Sequence, residues 1–98
     1  MKILDMLRIV AYDIADPRRL RHVAKTCELY GIRIEKSLFE CDLSEEIFLD
    51  FWKELKTLID EQEDSVVAYC LNRADVQRIV SLGCCIRPDR ENLFFAGP

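Results

Sequence analysis

Met6-Leu7-Arg8-Ile9-Val10-Ala11-Tyr12-Asp13, followed by Ile14-Ala15-Asp16-Pro17, decides how the chain starts to fold. An apolar, β-branched run of this length reads as a buried strand. Asp16-Pro17 then opens a helix. Aspartate is a favoured N-cap, and proline suits the first helical position because its missing N–H had no intrahelical partner anyway. Leu20, Val23, Ala24 and Cys27 recur at helical spacing on one face, with Arg18, Arg19, Arg21, His22 and Lys25 on the rest. Gly31 closes the helix, as a left-handed cap would require.

Beyond Gly31, residues 32–43 alternate polar and apolar, predicting two short strands with a tight bend near Lys36-Ser37. Ser44 caps a second helix, whose first turn carries Glu45 and Glu46 at the positive end of the dipole. Ile47, Phe48, Phe51, Trp52, Leu55, Leu58 and Ile59 form its wide apolar stripe. Ser65–Leu71 is another buried strand. Residues 73–86 fit a short helix or a strand, and Leu93-Phe94-Phe95-Ala96 a terminal strand. The order strand, helix, strand, strand, helix, strand is the ferredoxin-like βαββαβ pattern, an α+β fold. Right-handed connections put both helices on one sheet face. The first and fourth strands are apolar on both faces, so the helix-free face calls for cover, most simply a second copy in a homodimer.

The 98 residues fit a single domain spanning 1–98, without repeats or linkers. No apolar run is long enough for a membrane span, and the first residues lack a signal peptide's apolar stretch, so a cytoplasmic protein with no membrane partner is expected. The five cysteines are odd in number and form no Cys-x-x-Cys pair, as free intracellular thiols would. With His22 as the sole histidine, a zinc cage would need unusual ligands. The net charge of −4 hides a division: residues 44–65 hold eight acidic and two basic residues, the remainder ten acidic and twelve basic. One face is thus expected to be acidic and another locally basic.

Several residues admit two readings. Asp13 is either a carboxylate presented at a strand end or a cap for the turn that starts the helix. The cluster Arg18, Arg19, Arg21, His22 and Lys25 is either a phosphate-contacting surface or a solvated helix face. Arg33 and Lys36 extend the basic surface if they share its side. Tyr12 and Phe39 are either base-stacking platforms or core aromatics.

Tyr12-Asp13-Ile14-Ala15-Asp16, the helix Arg18–Lys25 and the block Tyr30-Gly31-Ile32-Arg33-Ile34-Glu35-Lys36-Ser37-Leu38-Phe39-Glu40-Cys41 together resemble the CRISPR-associated Cas-two (Cas2) family. The motifs lie in residues 6–43, while length and element order match throughout. The resemblance implies a prokaryotic, ferredoxin-like homodimer in which Asp13 from both subunits binds one divalent cation, Mg2+ or another such as Mn2+. It implies catalysis by Asp13: metal-dependent endonuclease cleavage of phosphodiester bonds, in single-stranded RNA or double-stranded DNA. It also implies a structural role beside the Cas-one integrase in spacer acquisition. Tyr12, Arg18, Arg19, Arg21, Arg33, Ser37 and Phe39 fall where the family binds nucleic acid. Many relatives carry glutamine where this chain has Glu35, which adds negative charge near the proposed site. Residues 88–98 would form an edge strand crossing to the partner subunit, a reading preferred over a residual cleavage tag at Glu91–Gly97. The alternative classes are a non-catalytic nucleic-acid-binding module of the same topology and a small-molecule regulatory domain. The first would expose aromatics on an open sheet face. The second would need a ligand loop, and no glycine-rich one exists.

Overall fold

The computed structural model describes residues 6–84. Its elements are β1 (Leu7–Asp13), α1 (Pro17–Tyr30), β2 (Ile32–Glu35), β3 (Leu38–Asp42), α2 (Glu45–Leu58), β4 (Ser65–Leu71) and a short α3 (Arg73–Gln77). The four strands form one antiparallel sheet in the order β2-β3-β1-β4, the expected ferredoxin-like arrangement. The expected C-terminal strand lies outside the described residues. Of the two options for residues 73–86, a helix forms at Arg73–Gln77, started by a capping box between Asn72 and Asp75.

Alternation along β1 divides the molecule. Val10 and Tyr12 point to one side, where with Phe39 and Cys41 of β3 they meet Val23 and Cys27 of α1 and Phe51 and Leu55 of α2. This is the main core, and burying each large apolar side chain contributes about 1.5–3 kcal/mol. Both helices start as the sequence requires. The Asp16 carboxylate accepts the Arg19 N–H at 2.9 Å, and the Ser44 hydroxyl accepts the Ile47 N–H at 3.3 Å. The expected α2 stripe narrows at its start, since Ile47 is exposed.

Arg8 shares the helix-side face and is nevertheless buried. Its guanidinium donates to the Leu43 carbonyl at 3.1 Å and to Glu45 at 2.9 Å, and stacks over the Phe48 ring at 4.0 Å. These partners offset the cost of taking a cation into the strand. Burial pushes the thiol of Cys27 up to about 12 and that of Cys41 to about 11, leaving both protonated as small core hydrophobes.

On the opposite face, Leu7 is covered by Val76 of α3, with Leu71 and Ile79 packed alongside. The following residues run past Ile9, Ile34, Leu38 and Leu71 and leave a cavity of about 430 Å³ between them. Val67 and Tyr69 of the edge strand β4 remain exposed. The face opposite α1 and α2 is therefore partly covered by α3 and the residues after it.

Gly31 departs from the expectation of a left-handed cap. Its backbone is extended, at φ −158° and ψ −171°. Glycine is required there by close approach instead: a Cβ would sit 2.5 Å from Cys41 Sγ and 2.6 Å from the Glu40 carbonyl oxygen.

Candidate functional site

Asp13 is the last residue of β1. Its backbone pairs with Ser65 of β4, and its side chain is exposed. Strand alternation places it on the face of Ile9 and Ala11, away from the helices. The capping alternative is not what the local hydrogen bonds show. Asp16 caps α1, the Ala15 N–H donates to Asp64, and the Asp13 carboxylate has no hydrogen-bond or ion-pair partner among the described residues. Ile14, the next residue, is buried in the main core. An unengaged carboxylate thus stands at the end of a rigid strand.

Beneath it lies a polar centre that sequence reasoning missed. Asp64 ends the turn before β4, and its side chain is fully buried. It accepts from the Ala15 N–H at 2.9 Å, the Asp60 N–H at 2.9 Å, Arg19 Nε at 2.8 Å and Arg19 Nη2 at 3.2 Å. The Arg19 guanidinium first, and then the backbone donors, outweigh the opposing effect of desolvation and hold the Asp64 carboxyl far below the ordinary carboxylate range. Asp64 raises the Arg19 value in return. Glu63 lies 3.6 Å from Arg19 Nη2. Read only as one more acid in an acidic stretch, Asp64 carried no distinguishing signal in the sequence.

Arg19 is therefore turned inward to Asp64, whereas Arg18, Arg21, His22 and Lys25 are exposed along α1. Across the sheet, Tyr12, Arg33, Ser37 and Phe39 gather at the β2–β3 turn. The Lys36 carbonyl accepts from Tyr12 Oη at 3.2 Å and from Arg33 Nε and Nη2 at 3.2 and 2.9 Å. The Tyr12 N–H donates to the Ser37 carbonyl at 3.1 Å. Burial, reinforced by neighbouring Cys27, pushes the Tyr12 phenol above its ordinary value. Tyr12 and Phe39 stack on each other inside the core, with Phe39 fully buried. Rings so enclosed cannot stack on a base, so the base-platform reading gives way to the core reading for both. Arg33 itself is exposed and lies over the Phe39 ring at 5.4 Å.

No group of three or more His, Cys, Asp or Glu side chains among the described residues could hold a metal ion. One chain thus offers a single carboxylate at the β1 end. A magnesium ion is commonly held by one or two carboxylates, with water and phosphate oxygens completing its shell. The donor set fits such an ion if a second copy brings its own carboxylate. No helix among the described residues is long and apolar enough to cross a membrane.

A ferredoxin-like sheet with an unengaged carboxylate at the end of β1 and exposed arginines on α1 defines a small α+β protein. Residues 6–79 match the model of the family described as CRISPR associated protein Cas2. The chain is 35% identical over 80 residues to a CRISPR-associated endoribonuclease Cas2 of Chloroflexus aurantiacus, covering 82% of this chain and 86% of the relative. It is also 35% identical over 83 residues to a CRISPR-associated endonuclease Cas2 of Halalkalibacterium halodurans, covering 80% and 86%. Crystal structures agree. Streptococcus pyogenes Cas2 superposes with a TM-score of 0.72 at 39% identity, covering 79% of this chain and 99% of its own. A hypothetical protein from Thermus thermophilus gives 0.76 at 31% identity, covering 85% and 96%. The chain belongs to the CRISPR-associated Cas2 family.

Proposed function

We propose that this protein is a divalent-metal-dependent endonuclease of CRISPR adaptation, acting as a homodimer in the prokaryotic cytoplasm. The observation that carries the reading is Asp13: a carboxylate without protein partners, fixed at a strand end, in a chain whose relatives are named endoribonuclease and endonuclease. Two copies would bring two Asp13 carboxylates together, and a cation would relieve their mutual repulsion. When bound, Mg2+ or Mn2+ supplies Lewis-acid polarisation of a phosphoryl oxygen and an activated water. Each chain's own part is to hold its Asp13 carboxylate and to bind the phosphate backbone through Arg18, Arg21 and Arg33. The substrate is RNA or double-stranded DNA, bound without sequence preference because arginines contact phosphates and no base-reading element accompanies them.

Exposed apolar side chains such as Val67 and Tyr69 on the face opposite α1 and α2, and the open edge of β4, support dimerisation. Asp13→Ala tests the nuclease reading. The variant should keep the dimeric mass and lose cleavage of labelled RNA and duplex DNA in Mg2+. A variant that still cleaves would remove Asp13 from catalysis. A wild-type protein that cleaves neither substrate, yet binds the Cas-one integrase, would instead establish the structural adaptor.

A further inference from the structure

The buried centre at Asp64 lies next to Asp13 by two independent routes. Ser65, which follows Asp64, is the cross-strand neighbour of Asp13. Ala15, two residues after Asp13, gives its N–H to the Asp64 carboxylate. Arg19 ties the same carboxylate to the first turn of α1 through two nitrogens, and the Asp60 N–H ties it to the turn that follows α2. Between these anchors, the buried side chain of Ile14 pins the intervening residue. The backbone on either side of Asp13 is thus immobilised, and its carboxylate alone stays unengaged. An isolated buried carboxylate is costly, and its four donors come from three segments: the β1–α1 connection, α1 and the turn after α2. The centre therefore holds the backbone that carries Asp13 from both the β4 side and the α1 side.

We propose that Asp64 is a positioning residue: through Ala15 and Arg19 it fixes the β1–α1 connection so that the Asp13 carboxylate is preorganised for a divalent cation. This rests on the reading of Asp13 as the metal ligand. Groups that orient a ligand from behind typically change metal affinity by roughly 10–100-fold when altered. Asparagine at position 64 keeps the shape but turns an amide N–H2 toward donors, so two contacts must open: those of Ala15 and Arg19 Nη2, or those of Asp60 and Arg19 Nε.

The test is Mn2+ binding to the full-length protein, followed by electron paramagnetic resonance, for wild type, Asp64→Asn, Arg19→Lys, Asp13→Asn and Val23→Ala. The last variant is a core-destabilised control. Asp64→Asn should bind roughly 10–100-fold more weakly while remaining folded by circular dichroism. Arg19→Lys keeps the charge but loses the fork, so it should weaken binding less; it also decides the matter if Asp64→Asn does not fold. Val23→Ala should bind as wild type does. The proposal is overturned if folded Asp64→Asn and Arg19→Lys bind Mn2+ with wild-type affinity while Asp13→Asn does not bind. It is equally overturned if Val23→Ala weakens binding as much, since the effect would then be global stability. Wild-type binding by Asp13→Asn would instead bring down the ligand reading on which the proposal stands.

Discussion

Gly31→Ala should destabilise the protein although the backbone there can accept any residue. At φ −158° the position is extended, so alanine meets no dihedral penalty. It would also gain about 0.4–1 kcal/mol by restricting the unfolded chain. Against that, the new Cβ would lie 2.5 Å from Cys41 Sγ and 2.6 Å from the Glu40 carbonyl oxygen. Neither neighbour yields easily: Cys41 is fully buried, and the Glu40 carbonyl belongs to β3, where Glu40 pairs with both Ile9 and Ile32. Overpacking of this kind costs about 1–3 kcal/mol. The net loss of about 1–2 kcal/mol should lower Tm by roughly 5–15 °C for a domain this size. Thermal melts followed by circular dichroism would measure it. In a Cys41→Ala background the cost of Gly31→Ala should shrink without vanishing, because the carbonyl contact persists. Gly31→Asn should be worse than Gly31→Ala. A left-handed cap would reverse that order, since asparagine tolerates the left-handed region better than alanine. Asparagine less harmful than alanine, or an alanine variant as stable as wild type, would refute the close-approach account.

Phe51→Ala removes a fully buried ring stacked on Tyr30 at 4.5 Å and should cost about 3–5 kcal/mol, read from urea unfolding; a loss under about 1 kcal/mol would mean the helix–sheet core is not the stabilising centre. Asp64 should make acid unfolding steeper. Because its folded-state value lies below the unfolded one, its contribution is complete above about pH 4–5 and is lost as pH falls further. Asp64→Asn, though less stable at neutral pH, should therefore lose less stability than wild type between about pH 5 and pH 2, and equal slopes would contradict this. Removing Arg18 and Arg21 together should weaken binding to duplex DNA and reduce the slope of log affinity against log salt by about 0.9 for each lost phosphate contact. An unchanged slope would place the phosphate surface elsewhere.

The elements that were legible in the sequence are those where local chemistry and hydrophobic period agree. Asp16-Pro17 and Ser44 mark helix starts, and the observed caps are at those residues. The β1 run reads as a strand, and its order among the other elements fixes the sheet. What escaped was tertiary. Arg8 lay unremarked inside an apolar run because the Leu43 carbonyl and Phe48 ring that accommodate it are 35 and 40 residues away in the chain. Gly31 carries the same letter whether it serves a left-handed turn or a close approach, and only the position of β3 separates the two. Arg19 resembles its neighbours Arg18 and Arg21, yet it faces a carboxylate 45 residues further on and they face outward. Tyr12 and Phe39 fit both a platform and a core, and the sheet encloses them in the core.

The central claim is that one divalent ion is shared by Asp13 carboxylates from two copies of the chain. Its most direct test is the stoichiometry of Mn2+ bound to the purified protein at saturation, measured beside the solution mass. The account predicts a dimer that binds one ion per two chains, with binding abolished in Asp13→Ala while the dimer persists. One tight ion per chain, or binding that survives the loss of Asp13, would contradict it.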